Sequence, residues 1–128
     1  MSAAGLEQLA RRFLGAYGAG ELETMRELLA FDAVSWITNA EGHADRVEGR
    51  EGFMARLPET SDATLSTKIT QVLAIDRCRV LTAIEIKAER GGRTLHNFAA
   101  FLARAEDGRI AELWMVEARP AYSDEFWS

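Results

Sequence analysis

The 128-residue sequence predicts an α+β fold, with helices in its first half and an antiparallel sheet in its second. Three observations carry this. Apolar residues recur at helical spacing in three stretches before Pro58, whereas after about residue 63 they alternate over long segments broken by tight turn signals. Several of those segments also carry apolar side chains on both faces. Helices must then cover one face, and a partner or the sheet's own curl the other.

Residues 3 to 17 read as an amphipathic helix, because Leu6, Leu9, Ala10, Phe13, Leu14 and Tyr17 share one stripe and Gly18 with Gly20 ends it. Leu22, Met25, Leu28 and Leu29 mark a second, short helix, and DAVSWIT (32 to 38) is β-prone. NAEGHADRVEG is expected to be a loop leading into REGFMARL, where Phe53, Met54 and Leu57 share a helical face that Pro58 stops. Residues 64 to 75, 79 to 90, 93 to 105 and 109 to 118 then form a four-stranded meander. Its turns fall at Asp76-Arg77, Gly91-Gly92 and Asp107-Gly108. The tail PAYSDEFWS is too short for a core element of its own, and an exposed Tyr122, Phe126 and Trp127 would invite aggregation. It is expected to close a pocket mouth or to dock on a partner subunit. No repeat, linker or low-complexity tract divides the chain, so residues 1 to 128 are read as one domain.

Composition narrows the function classes. A net charge of -5, with fifteen basic residues scattered among twenty acidic ones, leaves no footprint for nucleic acid. No apolar run approaches the roughly 20 residues needed to cross a bilayer, and MSAAGLEQLARRF lacks the apolar core of a secretory signal. One cysteine, Cys78, permits no internal disulfide and suits a cytoplasmic protein. His43 and Asp45 match no zinc or calcium spacing, so no metal site and no cofactor are predicted.

The join AYGAGELETMRELL followed by DAVSW, the turn EGREGF opening the third helix, and EDGRIAELW entering the last strand carry a resemblance across nearly the whole chain. In that order and spacing they resemble the SnoaL-like and ketosteroid-isomerase-like group of the nuclear-transport-factor-2-like superfamily. The resemblance implies a cone in which a curved antiparallel sheet and three N-terminal helices enclose an apolar pocket, with acids or histidines inside it doing the chemistry. It also implies what is missing. The isomerases' helix tyrosine falls on Phe13 and their strand-end aspartate on Ile37, or on Thr38 or Asn39 with a slipped register. Their second acid falls on Ala100, counting back from the Asp107-Gly108 turn. The acid that SnoaL-type cyclases place after the last strand's tryptophan falls on Met115, next to Trp114.

That last position faces the pocket in the relatives. Alternation along RIAELWMVEA therefore sends Leu113, Met115 and Glu117 inward, and the same parity on HNFAAFLAR sends His96, Phe98, Ala100 and Leu102 inward and Asn97 outward. A carboxylate in an apolar cavity is raised toward neutral pH and becomes a usable acid or base, so Glu117 and His96 are the candidate catalytic pair. The plainer reading makes Glu117 a rim charge paired with Arg119 or Arg93, and His96 an ordinary strand histidine. Phe13, Tyr17, Trp36, Phe53, Phe98, Leu113 and Met115 are the candidate ligand-lining residues, while Trp114 is expected on the outer sheet face as a homodimer anchor. Two functions follow as expectations. One is a cofactor-independent isomerase or lyase-type enzyme acting on a small apolar carbonyl or hydroxyl compound. The other is a non-catalytic binding or assembly module that has lost the family's acids.

Overall fold

A computed structural model describes residues 1–128. Helix α1 (Ala3–Ala19) begins where the Ser2 hydroxyl accepts the Gly5 N–H at 3.0 Å and ends on Gly20, whose left-handed backbone (φ 73°) returns its N–H to the carbonyls of Ala16 and Tyr17. Leu6, Leu9, Phe13 and Leu14 are buried on its inner face. Fully burying one such side chain contributes roughly 1.5–3 kcal/mol. The short α2 (Leu22–Leu28) turns directly into β1 (Leu29–Thr38). No helix of the chain is long and apolar enough to cross a membrane.

The segment expected to be wholly loop contains a strand, β2 (Ala44–Glu48), antiparallel to the end of β1, with Val34 opposite Glu48 and Thr38 opposite Ala44. Only Ala44–Glu48 alternates, too short a run for local periodicity to mark, and its pairing depends on β1 being present. Helix α3 (Gly49–Arg56) follows, burying Phe53. The meander is β3 (Thr64–Ala74), β4 (Arg79–Arg90), β5 (Arg93–Glu106) and β6 (Arg109–Glu117), and the tail forms a fourth helix, α4 (Pro120–Trp127). Proline at its first turn costs nothing there, since that N–H has no helical partner.

The strand order is β2-β1-β6-β5-β4-β3. The sheet is therefore not wholly antiparallel: β1 lies parallel to β6, with Ser35, Trp36 and Ile37 beside Leu113, Trp114 and Met115. Only long-range pairing produces that contact. The result is a curved mixed sheet with helices against one face, an α+β fold.

One irregularity decides which side chains face the helices. From the Asp107-Gly108 turn, Glu106 pairs with Arg109 and Ala105 with Ile110, but Arg104 pairs with Glu112, leaving Ala111 as an extra residue. Such a bulge reverses the parity of everything beyond it. Leu113, Met115 and Glu117 still point inward, but their partners are Ala103, Phe101 and Ala99, not Leu102, Ala100 and Phe98. On β5 the inward set is therefore Leu95, Asn97, Ala99, Phe101 and Ala103, all buried. The expected inward set of His96, Phe98, Ala100 and Leu102 lies on the outer face. Phe98 is 50% exposed there, while Asn97, expected outside, is 1% exposed.

Candidate active site

The helices and the inner sheet face enclose a cavity of about 560 Å³, a volume suited to a small organic ligand. Its apolar wall is built from both layers. Phe13 and Tyr17 come one turn apart from α1, Phe53 from α3, Ile37 from β1, Phe101 from β5 and Met115 from β6. The Phe13 and Phe53 rings lie 5.9 Å apart, tilted by 43°. Helix α4 folds back over this space and adds Pro120, Ser123, Asp124 and Trp127.

Polar groups stand at two places. At the mouth, Asp45 of β2 accepts from Asn39 Nδ2 at 3.0 Å and from the Arg56 guanidinium at 3.2 Å. Asn39 Oδ1 in turn receives the backbone N–H of Glu41 and of His43, which fixes the turn there. This ring is a structural closure, and it leaves Arg56, the one basic side chain lining the cavity, already neutralised.

The second place is Glu117, at the end of β6 among apolar neighbours. Loss of hydration pushes its carboxyl above the usual carboxylate range; the nearby Ser123 hydroxyl opposes this, and the charge of Asp124 adds to it. Tyr17 faces the same space. Its phenol is pushed up to about 12, first by burial and then by the charge of Glu117. A hydroxyl held there stays a neutral hydrogen-bond donor throughout the physiological range. The cavity thus sets a carboxyl with enhanced proton affinity against a phenol that keeps its proton.

The expected residues divide accordingly. Glu117, Tyr17, Phe13, Phe53 and Met115 line the cavity, and Leu113 is inward but buried in the core beneath it. His96 and Phe98 are turned away by the Ala111 bulge: His96 Nε2 lies 2.7 Å from Glu85 Oε2 on the outer face, and the expected Glu117–His96 pair does not form. Trp36 is also outside, because the parallel register that puts Ser35 and Ile37 inward sets it beside Trp114, under the Arg46 guanidinium. The inward shift of β5 parity replaces Ala100 by Ala99 and Phe101, so the second family acid is absent in either register. Ser123, Asp124 and Arg56 carry no sequence signal, and Asn39 and Asp45, noted there only as a slipped-register position and a rejected metal pair, take their place through the pairing of β2.

The cover is latched. Beyond Ala99 strand β5 has lost its β6 neighbour, and the Tyr122 hydroxyl takes that place, accepting the His96 N–H and donating to the Thr94 carbonyl, each at 3.0 Å. Arg90 and Arg93 hold the last carbonyls of α4, among them Trp127 at 2.9 Å and Phe126 at 3.1 Å. Tyr122→Phe should therefore cost roughly 0.5–1.5 kcal/mol in denaturant unfolding, because both hydrogen bonds lie where water can replace the lost partner, and should speed chymotryptic cleavage within α4. A variant as stable and as resistant as the wild type would show that the latch contributes nothing.

A curved mixed sheet with helices on one face around a cavity defines a cone-shaped α+β class. Within it, the SnoaL-like domain profile matches residues 10–113, and the chain belongs to that family. It is 27% identical over 123 residues to the uncharacterized protein Rv0034 of Mycobacterium tuberculosis, covering 94% of each chain. Among solved structures it is similar to Bal32a from a soil-derived mobile gene cassette (TM-score 0.79, 23% identity, 98% of each chain). It is also similar to an LEH-like epoxide hydrolase of M. tuberculosis (TM-score 0.73, 18% identity, 95% of this chain and 89% of that one). A third similar structure is Rv0760c of Mycobacterium tuberculosis in complex with estradiol-17beta-hemisuccinate (TM-score 0.72, 14% identity, 89% and 93% covered). At these identities the structures establish the shared fold.

Proposed function

We propose that the protein is a cofactor-independent enzyme of isomerase or lyase type that moves a proton on a small apolar carbonyl or hydroxyl compound. The observation that carries this is the placement of Glu117 and Tyr17 in one apolar cavity, the first with raised proton affinity, the second a persistent donor. Glu117 as carboxylate takes a proton from the carbon beside the carbonyl. The electron pair moves onto the carbonyl oxygen, where the Tyr17 hydroxyl stabilises the developing charge. Glu117 then returns the proton at the same or a conjugated carbon. His96 has no part in this scheme. Since Arg56 is occupied by Asp45, no free cation lines the cavity, which favours an uncharged substrate. The steroid nucleus of the ester held by Rv0760c supports the size and apolar body proposed for the ligand, while its hemisuccinate carboxylate would find no free cation here.

Deuterium uptake across a panel of ketones tests the proposal while the substrate is still unidentified. Steroid-like, polyketide-like and terpenoid ketones incubated with the protein in D2O should include at least one that gains deuterium beside its carbonyl faster than the uncatalysed rate. Tyr17→Phe should slow that exchange by about 100-fold or more, the effect of losing one donor to the developing oxyanion. Compounds that bind and raise thermal stability but never exchange would make the chain a binding module instead.

The same reading includes a homodimer formed through the outer sheet face. There the cross-strand neighbours Leu73, Leu81, Leu102, Trp114 and Trp36 make an apolar row across β3, β4, β5, β6 and β1, with Phe98 and Val116 exposed beside it. All helices pack on the inner side or over the cavity, so within one chain only the Arg46 guanidinium over Trp36 covers part of this row.

A further inference from the structure

We infer that Asn97 is the positioning residue of this site: its buried carboxamide clamps the backbone of Arg119 and so fixes both the direction of Glu117 and the seating of α4 over the cavity. The inference deepens the reading of Glu117 as the working carboxyl, but the clamp can be tested with no substrate present.

The geometry is that of a side chain standing in for a strand. Regular pairing of β5 with β6 ends at Ala99 and Glu117, and one further bond runs from the Ala118 N–H to the Phe98 carbonyl at 2.8 Å. Pro120 has no N–H with which to continue. Between them stands Arg119, and Asn97 satisfies both of its backbone groups: Oδ1 accepts the Arg119 N–H at 3.1 Å and Nδ2 donates to the Arg119 carbonyl at 3.2 Å. Oδ1 also accepts the N–H of Phe98 at 2.9 Å, which fixes the plane of the amide. The Arg119 carbonyl is at the same time the first acceptor of α4, taking the Ser123 N–H at 3.1 Å. Arg119 provides no side-chain cap for α4, so the amide of Asn97 anchors the start of the helix from the neighbouring strand.

Glu117 lies just before this clamp and Ser123, whose hydroxyl favours the charged form of that carboxyl, just after it. Releasing Arg119 removes the bond that sets one against the other, although the Ala99 pairing and the Tyr122, Arg90 and Arg93 contacts still hold each element. Only asparagine offers an acceptor and a donor at this reach. Leucine has the shape without either group, serine is too short to hold both, and aspartate would set an oxygen against the Arg119 carbonyl in a site that is 1% exposed. The outward register expected from the sequence hid this role, because it placed Asn97 on the opposite face.

Two measurements test the clamp. In the wild type, hydrogen exchange by NMR should find the Arg119 amide protected at least about 100-fold relative to that of Ala121, whose N–H in the first turn of α4 has no helical acceptor. In Asn97→Leu and Asn97→Ser, titration of the side-chain carboxyl should show the Glu117 midpoint falling toward the ordinary carboxylate range as water enters. The midpoint of Asp76, in the distant β3–β4 turn, should stay low, and exchange across α4 should quicken. A folded variant in which Glu117 and α4 behave as in the wild type overturns the inference. If neither variant folds, the wild-type Arg119 amide decides it, free exchange there also overturning the clamp. Glu117→Gln should leave the protection of Arg119 intact, so loss of turnover in that variant speaks to the proposed chemistry and not to the clamp.

Discussion

Glu117→Gln should lower proton-transfer activity by roughly 10²–10⁴-fold, the range associated with a positioned acid or base, while leaving the protein folded. Glutamine keeps the shape and remains polar beside Ser123, but it cannot take up a proton. The same substitution has a signature in stability. Because the carboxyl of Glu117 is raised in the folded protein, the folded state binds its proton more tightly than the unfolded chain does. Its favourable contribution is fully present below the ordinary carboxylate value and is lost as pH rises through the raised one. Above that point the wild type carries a poorly hydrated charge. The Gln variant should therefore match or exceed wild-type stability at pH 8 and lose the corresponding slope in a plot of stability against pH. Retained deuterium exchange in the variant, or identical pH profiles for the two proteins, would assign Glu117 to the rim and remove it from the chemistry.

Substitution on the outer sheet face should change the assembly. Trp114 stands within the cross-strand row, between Leu102 and Trp36, and Val116 on the same strand is 59% exposed. If two such faces pack together, an aspartate at either position buries a charge without a partner, at a cost of several kcal/mol that a standard-sized interface does not tolerate. Sedimentation at micromolar concentration should give twice the 14.2 kDa chain mass for the wild type and the chain mass for Val116→Asp. Val116 is the cleaner probe, since its exposure leaves the single chain little to lose, whereas Trp114→Asp also disturbs the packing against Trp36. A wild type that sediments only as a single chain would sink the dimer, and a Val116→Asp protein that remains paired would remove the outer sheet face as its interface.

Helices α1 to α3 and the four strands of the meander were legible in the sequence because their signals are local. The stripe from Leu6 to Tyr17, the glycines after it, Pro58 beyond α3 and the turns at Gly91-Gly92 and Asp107-Gly108 each act within a few residues. The last turn takes the left-handed backbone it demands, with φ of 52° at Asp107 and 78° at Gly108. On β6 the resemblance implied that Met115 faces the pocket and alternation carried Glu117 to the same side, and both line the cavity, since that strand is regular beyond its bulge.

What the sequence by itself determined is thus the fold class, the family and the inward side of one strand. The tertiary structure alone decided the membership of the site, for a physical reason that recurs at each correction. A strand's face follows from its partner's register, and Ala111, the extra residue in β6, turned His96 and Phe98 outward and Asn97 inward without any mark in local periodicity. The parallel contact of β1 with β6 turned Trp36 outward in the same way, and the pairing of β2 brought Asp45 to the mouth. The position of Ser123 against Glu117 depends on a helix seated by side chains from β4 and β5, far away in the chain. These contacts join distant segments, and their free energy exists only once the sheet has closed.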